Sequence, residues 1–534
     1  MMSSWLMYIF VYVLVCDGVV AQLENRVVFL FNTFQNVNVN ENETVQAVVS
    51  RIPPEVSFIT LQFHTQHSNA TLSYTRMPGL GLFLTAVDSG LLSPLIPGQT
   101  KISWFLLAPD GDSVAGTGVI LPYTSSDPVP GACNLEFDLD IDPNVYLHYN
   151  LFETTIHFAP ANIGYSRGSN PPACDTEVGE NTRWRLRYDI YQYFLPESDL
   201  SEQSLITSIQ SVASVQTMRE HGKRLMTLSS NDKTEVVFSS IPGQGVIYSV
   251  IVRDPVLNTS SLYIPVHTYA CSFSSTLDGC DTLGKISTRI FFTIAGLAGL
   301  FVCFFGHCFF KCVRLTLTVV IGVVGGVILV MSWWRFGSVM SCVVVVGLML
   351  GFLIASIVFF TPVGDIQVFR SNVVFWVTFS CIVVVVPLFF VRWPREGNIT
   401  TCGVAGAYAV VLTVNAYIYT SLSYITLNIL KRFLNDNFSK AFTDVPFQDI
   451  DFIMITVWVV LGVSGIVLQL YRERTRPFFP PSPYLMWLQE RERRKTNVLD
   501  PSHHTSSLPS RLLARARQLT GRRESAGERT PLLL

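Results

Sequence analysis

Polar and apolar positions alternate through the first half of this 534-residue chain and gather into long apolar runs in the second half. Ile59, Leu61 and Phe63 alternate with Thr60, Gln62 and His64. Trp184, Leu186, Tyr188 and Ile190 alternate with Arg183, Arg185, Arg187 and Asp189. A period of two predicts strands with one face buried. Segment 198–221 predicts one helix among them. A repeat runs through the same half. Ile96-Pro97-Gly98-Gln99 leads into the apolar run Ile102 to Leu107, and Ile241-Pro242-Gly243-Gln244 leads into Val246 to Val252. A short strand containing proline follows each, around Leu121-Pro122 and Ile264-Pro265. Pro-Gly supplies a turn and the run after it a core strand. The pattern predicts two tandem β-sandwich-like domains, near 24–127 and 133–270. A single sandwich continuous across both segments would exclude that reading.

The second half holds six apolar runs, at 290–310, 315–334, 338–360, 373–391, 402–422 and 452–470. Each approaches the roughly 20 residues that a membrane-spanning helix needs. Gly322-x-x-x-Gly326, Gly347-x-x-x-Gly351 and the pair Gly403 and Ala407 place small residues where helices pack closely. The expected class is therefore an all-β ectodomain followed by a membrane α-helical bundle.

Charge turns these elements into a topology. Only 14% of residues are charged, against roughly 25% in soluble proteins, which excludes a single soluble domain. The net charge is −12 over 22–286, +4 over 287–470 and +7 over 471–534. An acidic front and a basic tail fit an extracellular or lumenal front and a cytosolic end. The apolar run Trp5 to Val15, closed by Val19-Val20-Ala21, reads as a signal peptide over 1–21. The expected divisions are that leader, β domains at 22–132 and 133–286, a membrane domain at 287–470 and a basic tail at 471–534. Going from outside to inside needs an odd number of crossings, and six is even. Lys311 and Arg314 follow the first run and Arg335 the second, so the positive-inside rule puts the conflict at the short 311–314 segment.

Candidate chemistry is sparse. Cys133, Cys174, Cys271 and Cys280 precede the membrane, and four cysteines allow three pairings. Local loops favour Cys133 with Cys174 and Cys271 with Cys280. Asn42, Asn69 and Asn258 begin glycosylation sequons; Asn398 and Asn437 begin two more between spans, of which charge places Asn437 outside. Glu136, Asp138, Asp140 and Asp142 alternate, which on a strand would put four carboxylates on one face about 7 Å apart. Calcium suits such a row, but a solvated strand face explains it with less, so no metal and no cofactor is assigned. Cys303, His307, Cys308 and Cys312 fall on different faces of a helix, which argues against a metal there. The spans contain no acidic or basic residue, with His307 and Asn415 as their polar exceptions; coupled transporters usually need such groups. No catalytic constellation is present, and nothing points to nucleic acid. The loop 423–451 carries the pair Lys431-Arg432 and then Asp444, Asp449 and Asp451.

The basic tail suits an anionic lipid surface. It ends with Glu528 four residues before Leu532-Leu533, the form of a dileucine sorting signal that a clathrin adaptor would bind.

Several runs together resemble the transmembrane 7 superfamily member 3 family. They are Asp127-Pro-Val-Pro-Gly131, Cys133 to Asn144, Phe152-Glu-Thr-Thr155, Trp333-Trp-Arg-Phe-Gly337, Phe375 to Cys381, Thr420 to Asn428, Arg476 to Pro481 and Glu528 to Leu534. The resemblance covers nearly the whole mature chain. It implies seven spans, a lumenal front and a cytosolic tail. This chain departs from the family between Lys311 and Leu315, where the family carries another span, the place the charge parity marks. The resemblance also implies a pro-survival role: dampening endoplasmic-reticulum stress and the unfolded-protein response, restraining programmed cell death and supporting insulin secretion. Two classes of action follow, an ectodomain that binds a lumenal or extracellular protein and a channel- or transporter-like bundle. The large acidic β ectodomain favours the first. The expected location is the cell membrane with endolysosomal cycling.

Overall fold

The computed structural model describes residues 25–306 and 339–496, apart from 42, 110, 197–198, 274–279, 281–285, 419 and 475–482. The leader, Asn42, His307, Cys308, Cys312, Gly322, Gly326, the run 315–334 and the tail signal at Glu528, Leu532 and Leu533 lie outside the described residues.

The ectodomain is built from four sheets, none of which takes strands from both halves. The first joins β1 (Asn25–Val28), β3 (Thr44–Ser50), β8 (Lys101–Leu107), β5 (Ala70–Ser73) and β6 (Phe83–Ala86). The second joins β2 (Gln35–Val39), β9 (Val114–Thr124), β4 (Val56–His64) and β7 (Asp88–Pro94). In the second half, β13 (Lys223–Ser229), β12 (Arg187–Phe194), β15 (Val246–Asp254) and β16 (Thr259–Leu262) form a third sheet, with β17 (Val266–Thr268) also on β15. The fourth joins β10 (Val145–Tyr149), β11 (Glu153–Phe158) and β14 (Glu235–Ser239). Each half is thus its own sandwich.

Three cores separate the four sheets. Val45, Val49, Trp104 and Leu106 meet Ile59, Leu61 and Phe63 in the first sandwich. Tyr188, Ile190, Tyr248 and Val250 meet Ile156, Phe158, Val236 and Phe238 in the second. Between the sandwiches, Phe58, Leu92, Val119 and Leu121 meet Tyr191, Ile247, Ile251 and Leu262. β4 is therefore buried along its whole length. Its alternation predicts one buried face; the second face is covered by the other domain, so Thr60, Gln62 and His64 are buried too.

Both Pro-Gly turns carry the chain from one sheet of a sandwich to the other. Gly98 and Gly243 sit at φ +80° and +83°, a conformation that glycine adopts without strain. Gln99 N donates to Ile96 O at 3.2 Å, and Gln244 N donates to Ile241 O at 3.1 Å. The repeat then diverges, because β8 leads to the opposite sheet while β15 forms a hairpin with β16.

Two expectations here need correction. Helix α1 (Glu177–Arg183) precedes β12, so the strand begins at Arg187 and Trp184 is exposed. Segment 198–221 forms two helices, α2 (Glu202–Val212) and α3 (Val215–His221). Ser214 breaks them by capping α3 reciprocally with Thr217.

Five described helices are long and apolar enough to cross a membrane: α4 (Ile286–Phe305), α5 (Val339–Phe360), α6 (Asn372–Arg392), α7 (Pro394–Asn415) and α9 (Asp449–Glu473). The run expected at 402–422 is displaced. α7 starts eight residues earlier, because Pro394 suits the first helical turn, and it ends at Asn415. Asn398 is consequently buried within α7. The loop after it is not structureless: it contains α8 (Tyr424–Leu434). Small residues allow close helix contacts. A Cβ at Gly347 would lie 2.8 Å from Pro387 Cα, and one at Gly403 2.6 Å from Ile466 Cγ1. Gln469, an intramembrane polar group that hydropathy passes over, donates to Cys303 O at 2.6 Å. A last helix, α10 (Pro483–Thr496), follows.

Candidate functional site: two buried polar junctions

The first junction lies between the two sandwiches. His64 at the end of β4 pairs in register with Asp88 at the start of β7. His267 arrives from β17, on the face of the third sheet that meets the first domain. Asp88 Oδ1 is 2.7 Å from His64 Nδ1. Its Oδ2 accepts from His267 backbone N and lies 2.7 Å from His267 Nδ1. His267 Nε2 lies 3.0 Å from the Gln66 carbonyl oxygen. All three side chains are buried.

The geometry assigns the protons. Both ring nitrogens of His267 face oxygen acceptors, and a neutral imidazole has one N–H. His267 is therefore an imidazolium. Burial alone would lower its pKa, but Asp88 outweighs burial and raises it. Burial would raise the Asp88 pKa, but His267 and then His64 outweigh it and hold the carboxyl well below its usual range. His64 Nδ1 faces Asp88 Oδ1. Its Nε2 lies 3.5 Å from the Gln62 amide oxygen, while Gln62 Nε2 has no partner among the described residues. Turning that amide by 180° pairs a donor with the open lone pair.

Asn144 closes the same seam. Its amide accepts from Gly90 N at 2.8 Å and donates to Gly90 O at 3.0 Å. Asp142 in turn accepts from Asn144 Nδ2 at 2.8 Å and from the Tyr146 hydroxyl at 2.6 Å. Burial raises the Asp142 pKa. This corrects the carboxylate row. Segment 135–141 is a series of bends rather than a strand, with Glu136, Asp138 and Asp140 exposed and Asp142 buried. The four do not share a face, and among the described residues no group of three potential ligands is placed to hold a metal ion.

The second junction ties the second sandwich to the loop between α7 and α9. Phe442 forms a parallel bridge beside Phe238 on β14. Phe442 N donates to Val237 O at 2.9 Å, and Ser239 N donates to Phe442 O at 2.8 Å. The Phe442 ring enters the second sandwich's core. From α8, Lys431 Nζ donates to Ser240 O at 2.6 Å and to Ser239 Oγ at 3.1 Å. Ser239 Oγ donates to Asn428 Oδ1 at 3.3 Å. Among the described residues no carboxylate lies within ion-pair distance of Lys431, and burial lowers its pKa to about 7. At the rim, Lys223 Nζ is 2.5 Å from Asp444 Oδ1.

The remaining expected sites stay apart from both junctions. Disulfides join Cys133 to Cys174 and Cys271 to Cys280. Asn69, Asn258 and Asn437 are exposed, as a glycan acceptor must be. His64, Asp88 and His267 carry no local motif. Only the β4–β7 register and the contact between domains bring them together. Lys431 stands in the sequence as half of a basic pair with no partner in view.

Paired β-sandwiches followed in the chain by apolar helices long enough to cross a membrane define a class: a multi-pass membrane protein with immunoglobulin-like ectodomains. Family models refine it. Residues 25–123 match a TM7SF3-like, N-terminal immunoglobulin-like domain, residues 128–274 a TM7SF3-like, second immunoglobulin-like domain, and residues 312–470 a TM7S3/TM198-like domain. The chain is 50% identical to transmembrane 7 superfamily member 3 of Homo sapiens, over 96% of this chain and 95% of the relative. It is 52% identical to the Rattus norvegicus protein of that name, with 92% of each chain covered, and 50% identical to the Mus musculus protein, with 95% of each covered. The chain belongs to the transmembrane 7 superfamily member 3 family. The human alignment runs over 541 residues, more than the 534 here, while using 96% of this chain. The relative therefore has residues without a counterpart, in a number comparable with one span and its loop.

Proposed function

We propose that this chain is a non-enzymatic stress-attenuating membrane protein whose ectodomain binds a lumenal or extracellular protein and passes the binding event to the helices. In this reading it dampens the unfolded-protein response, restrains programmed cell death and supports insulin secretion, as the family resemblance implies. Its front is extracellular or lumenal and its tail cytosolic. The tail's dileucine signal draws it through a clathrin adaptor into endolysosomal cycling.

The observation that supports transmission is the second junction. Phe442 and Lys431 tie β14 to the loop between two membrane helices, so a displaced second domain pulls on that loop directly. A free tether would transmit nothing of the kind. The test uses cells lacking the endogenous protein and treated with an inhibitor of protein glycosylation. Wild-type chain should lower an unfolded-protein-response reporter. Phe442→Asp, present at wild-type surface abundance, should lose most of that effect. Full attenuation by a chain deleted for residues 25–270 would overturn the ectodomain reading.

A further inference from the structure

A narrow cleft, open to solvent at its mouth, lies where the turns after α5 meet α6 and α8. Arg370, Phe375, Asn428, Arg432, Ser439 and Thr443 are among its lining. The Arg432 guanidinium stacks over the Phe375 ring at 3.8 Å, and that of Arg370 over the Phe442 ring at 4.1 Å. Arg432 Nη2 donates to Phe369 O at 2.7 Å, and its Nε donates to Asn372 Oδ1 at 3.3 Å. Its Nη1 has no acceptor among the described residues. No described carboxylate lies within ion-pair distance of Arg432. Among the described residues the one carboxylate lining the cleft, Asp365, forms a long ion pair with Arg370 at 3.9 Å, beyond hydrogen-bond length. Burial and the nearby Asp444 raise the pKa of Asp365, against the pull of Arg370.

A half-buried guanidinium cannot shed its proton, and a desolvated charge needs a partner. Lys431 meets the same problem by sitting near neutrality; Arg432 cannot. Stacked guanidiniums with free edge donors match the geometry of a phosphate. Beside the cleft, α8 exposes Leu430, Phe433 and Leu434, the last two 71% and 59% exposed. The Phe433 ring lies 6.2 Å from Trp376 of α6. The exposed apolar edge of α8 is thus continuous with the surface of a candidate span.

We propose that the cleft binds the phosphate of a membrane phospholipid, with Arg432 as its main charge partner and Arg370 as the second. The acyl chains lie along Leu430, Phe433 and Leu434. A free phosphate ion would have no use for that apolar edge, so the lipid is the occupant. Asn428, Ser439 and Thr443 bring further hydrogen-bonding groups to the cleft wall. The proposal does not rest on the functional reading above.

The test is thermal unfolding of the purified full-length chain in detergent. Probes are short-chain phosphatidylglycerol, a monoglyceride of the same chain length and inorganic phosphate. The phospholipid should raise Tm saturably. Arg432→Gln should weaken its apparent affinity about tenfold or more, with Arg432→Lys between. Ser439→Asp puts a carboxylate into the cleft. It should raise Tm without lipid and abolish the lipid's effect, and it decides the matter if Arg432→Gln does not fold. Equal protection by monoglyceride or by inorganic phosphate would overturn the proposal. So would a lipid effect that survives both Arg432→Gln and Ser439→Asp.

Discussion

The seam between the two sandwiches and the junction between β14 and α8 each bury a side-chain cation, and they treat it in opposite ways. His267 faces the Asp88 carboxylate and the Gln66 carbonyl, and its pKa is raised. Among the described residues Lys431 faces a carbonyl, a hydroxyl and the rings of Tyr424 and Phe438 but no carboxylate, and its pKa falls to about 7. Desolvation acts on both. The difference lies in whether a full opposite charge is present. The seam is thus a charged network that fixes one arrangement of two domains. The junction is held by backbone bonds and by one lysine that can change its charge near neutral pH. The first suits a rigid platform, the second a contact that responds to its surroundings.

The largest effect is expected from breaking the paired side. Asp88→Asn keeps the shape but leaves His267 as a buried charge facing an amide. Removing one partner of a buried ion pair costs about 3–5 kcal/mol. Chemical denaturation of the full-length chain should show a loss of that size, with unfolding of the two sandwiches no longer coincident. A loss under 1 kcal/mol would mean the network is not charged.

How far was this comparison legible beforehand? The strands and the two-domain division followed from alternation and from the paired Pro-Gly turns. The carboxylate row misled because Asn134 organises its own loop. Its Oδ1 accepts from Glu136 N at 3.0 Å and Phe137 N at 2.9 Å, and its Nδ2 donates to Phe137 O at 2.8 Å. Side-chain bonds of this kind compete with strand formation, and alternation does not register them. α7 was misplaced because hydropathy discounts its charged first turn, Pro394-Arg395-Glu396. The His64–Asp88–His267 network was invisible for a different reason. Its members are 24 and 179 residues apart, and nothing local says that the polar face of β4 meets another domain. Lys431 was visible as a charge, but its partners on β14 were not.

The pH dependence separates the two junctions next. His267 has a folded pKa above its ordinary 6.5, so its contribution is complete below pH 6.5 and is lost as pH rises through the folded value. Lys431 titrates near 7 when folded and near 10.5 when unfolded. Between those values only the unfolded chain holds the proton, so stability rises with pH. The two slopes are opposite in sign. Lys431→Met should remove the rising component above pH 7 and, at pH 7 itself, change stability by no more than about 1 kcal/mol, since apolar replacement of a buried charge is often neutral. The measurement is Tm against pH for both chains. A rising slope that persists in Lys431→Met would assign it to another group.

The smallest expected effect tests whether the junction holds its lysine through individual acceptors. Ser239→Ala removes the hydroxyl that accepts from Lys431 and donates to Asn428, while the 2.6 Å bond to Ser240 O stays. Each of these two hydrogen bonds contributes about 1 kcal/mol net, and the carbonyl still bound to Lys431 holds the total loss to about that of one. Losing an acceptor that favours the charged form should also push the Lys431 pKa further down, widening the pH range over which stability rises. The seam has no equivalent weak point, because each oxygen of Asp88 serves a separate histidine. If Ser239→Ala cost as much as Asp88→Asn, the junction would be an obligate network like the seam, and the contrast between a fixed platform and a responsive contact would fail.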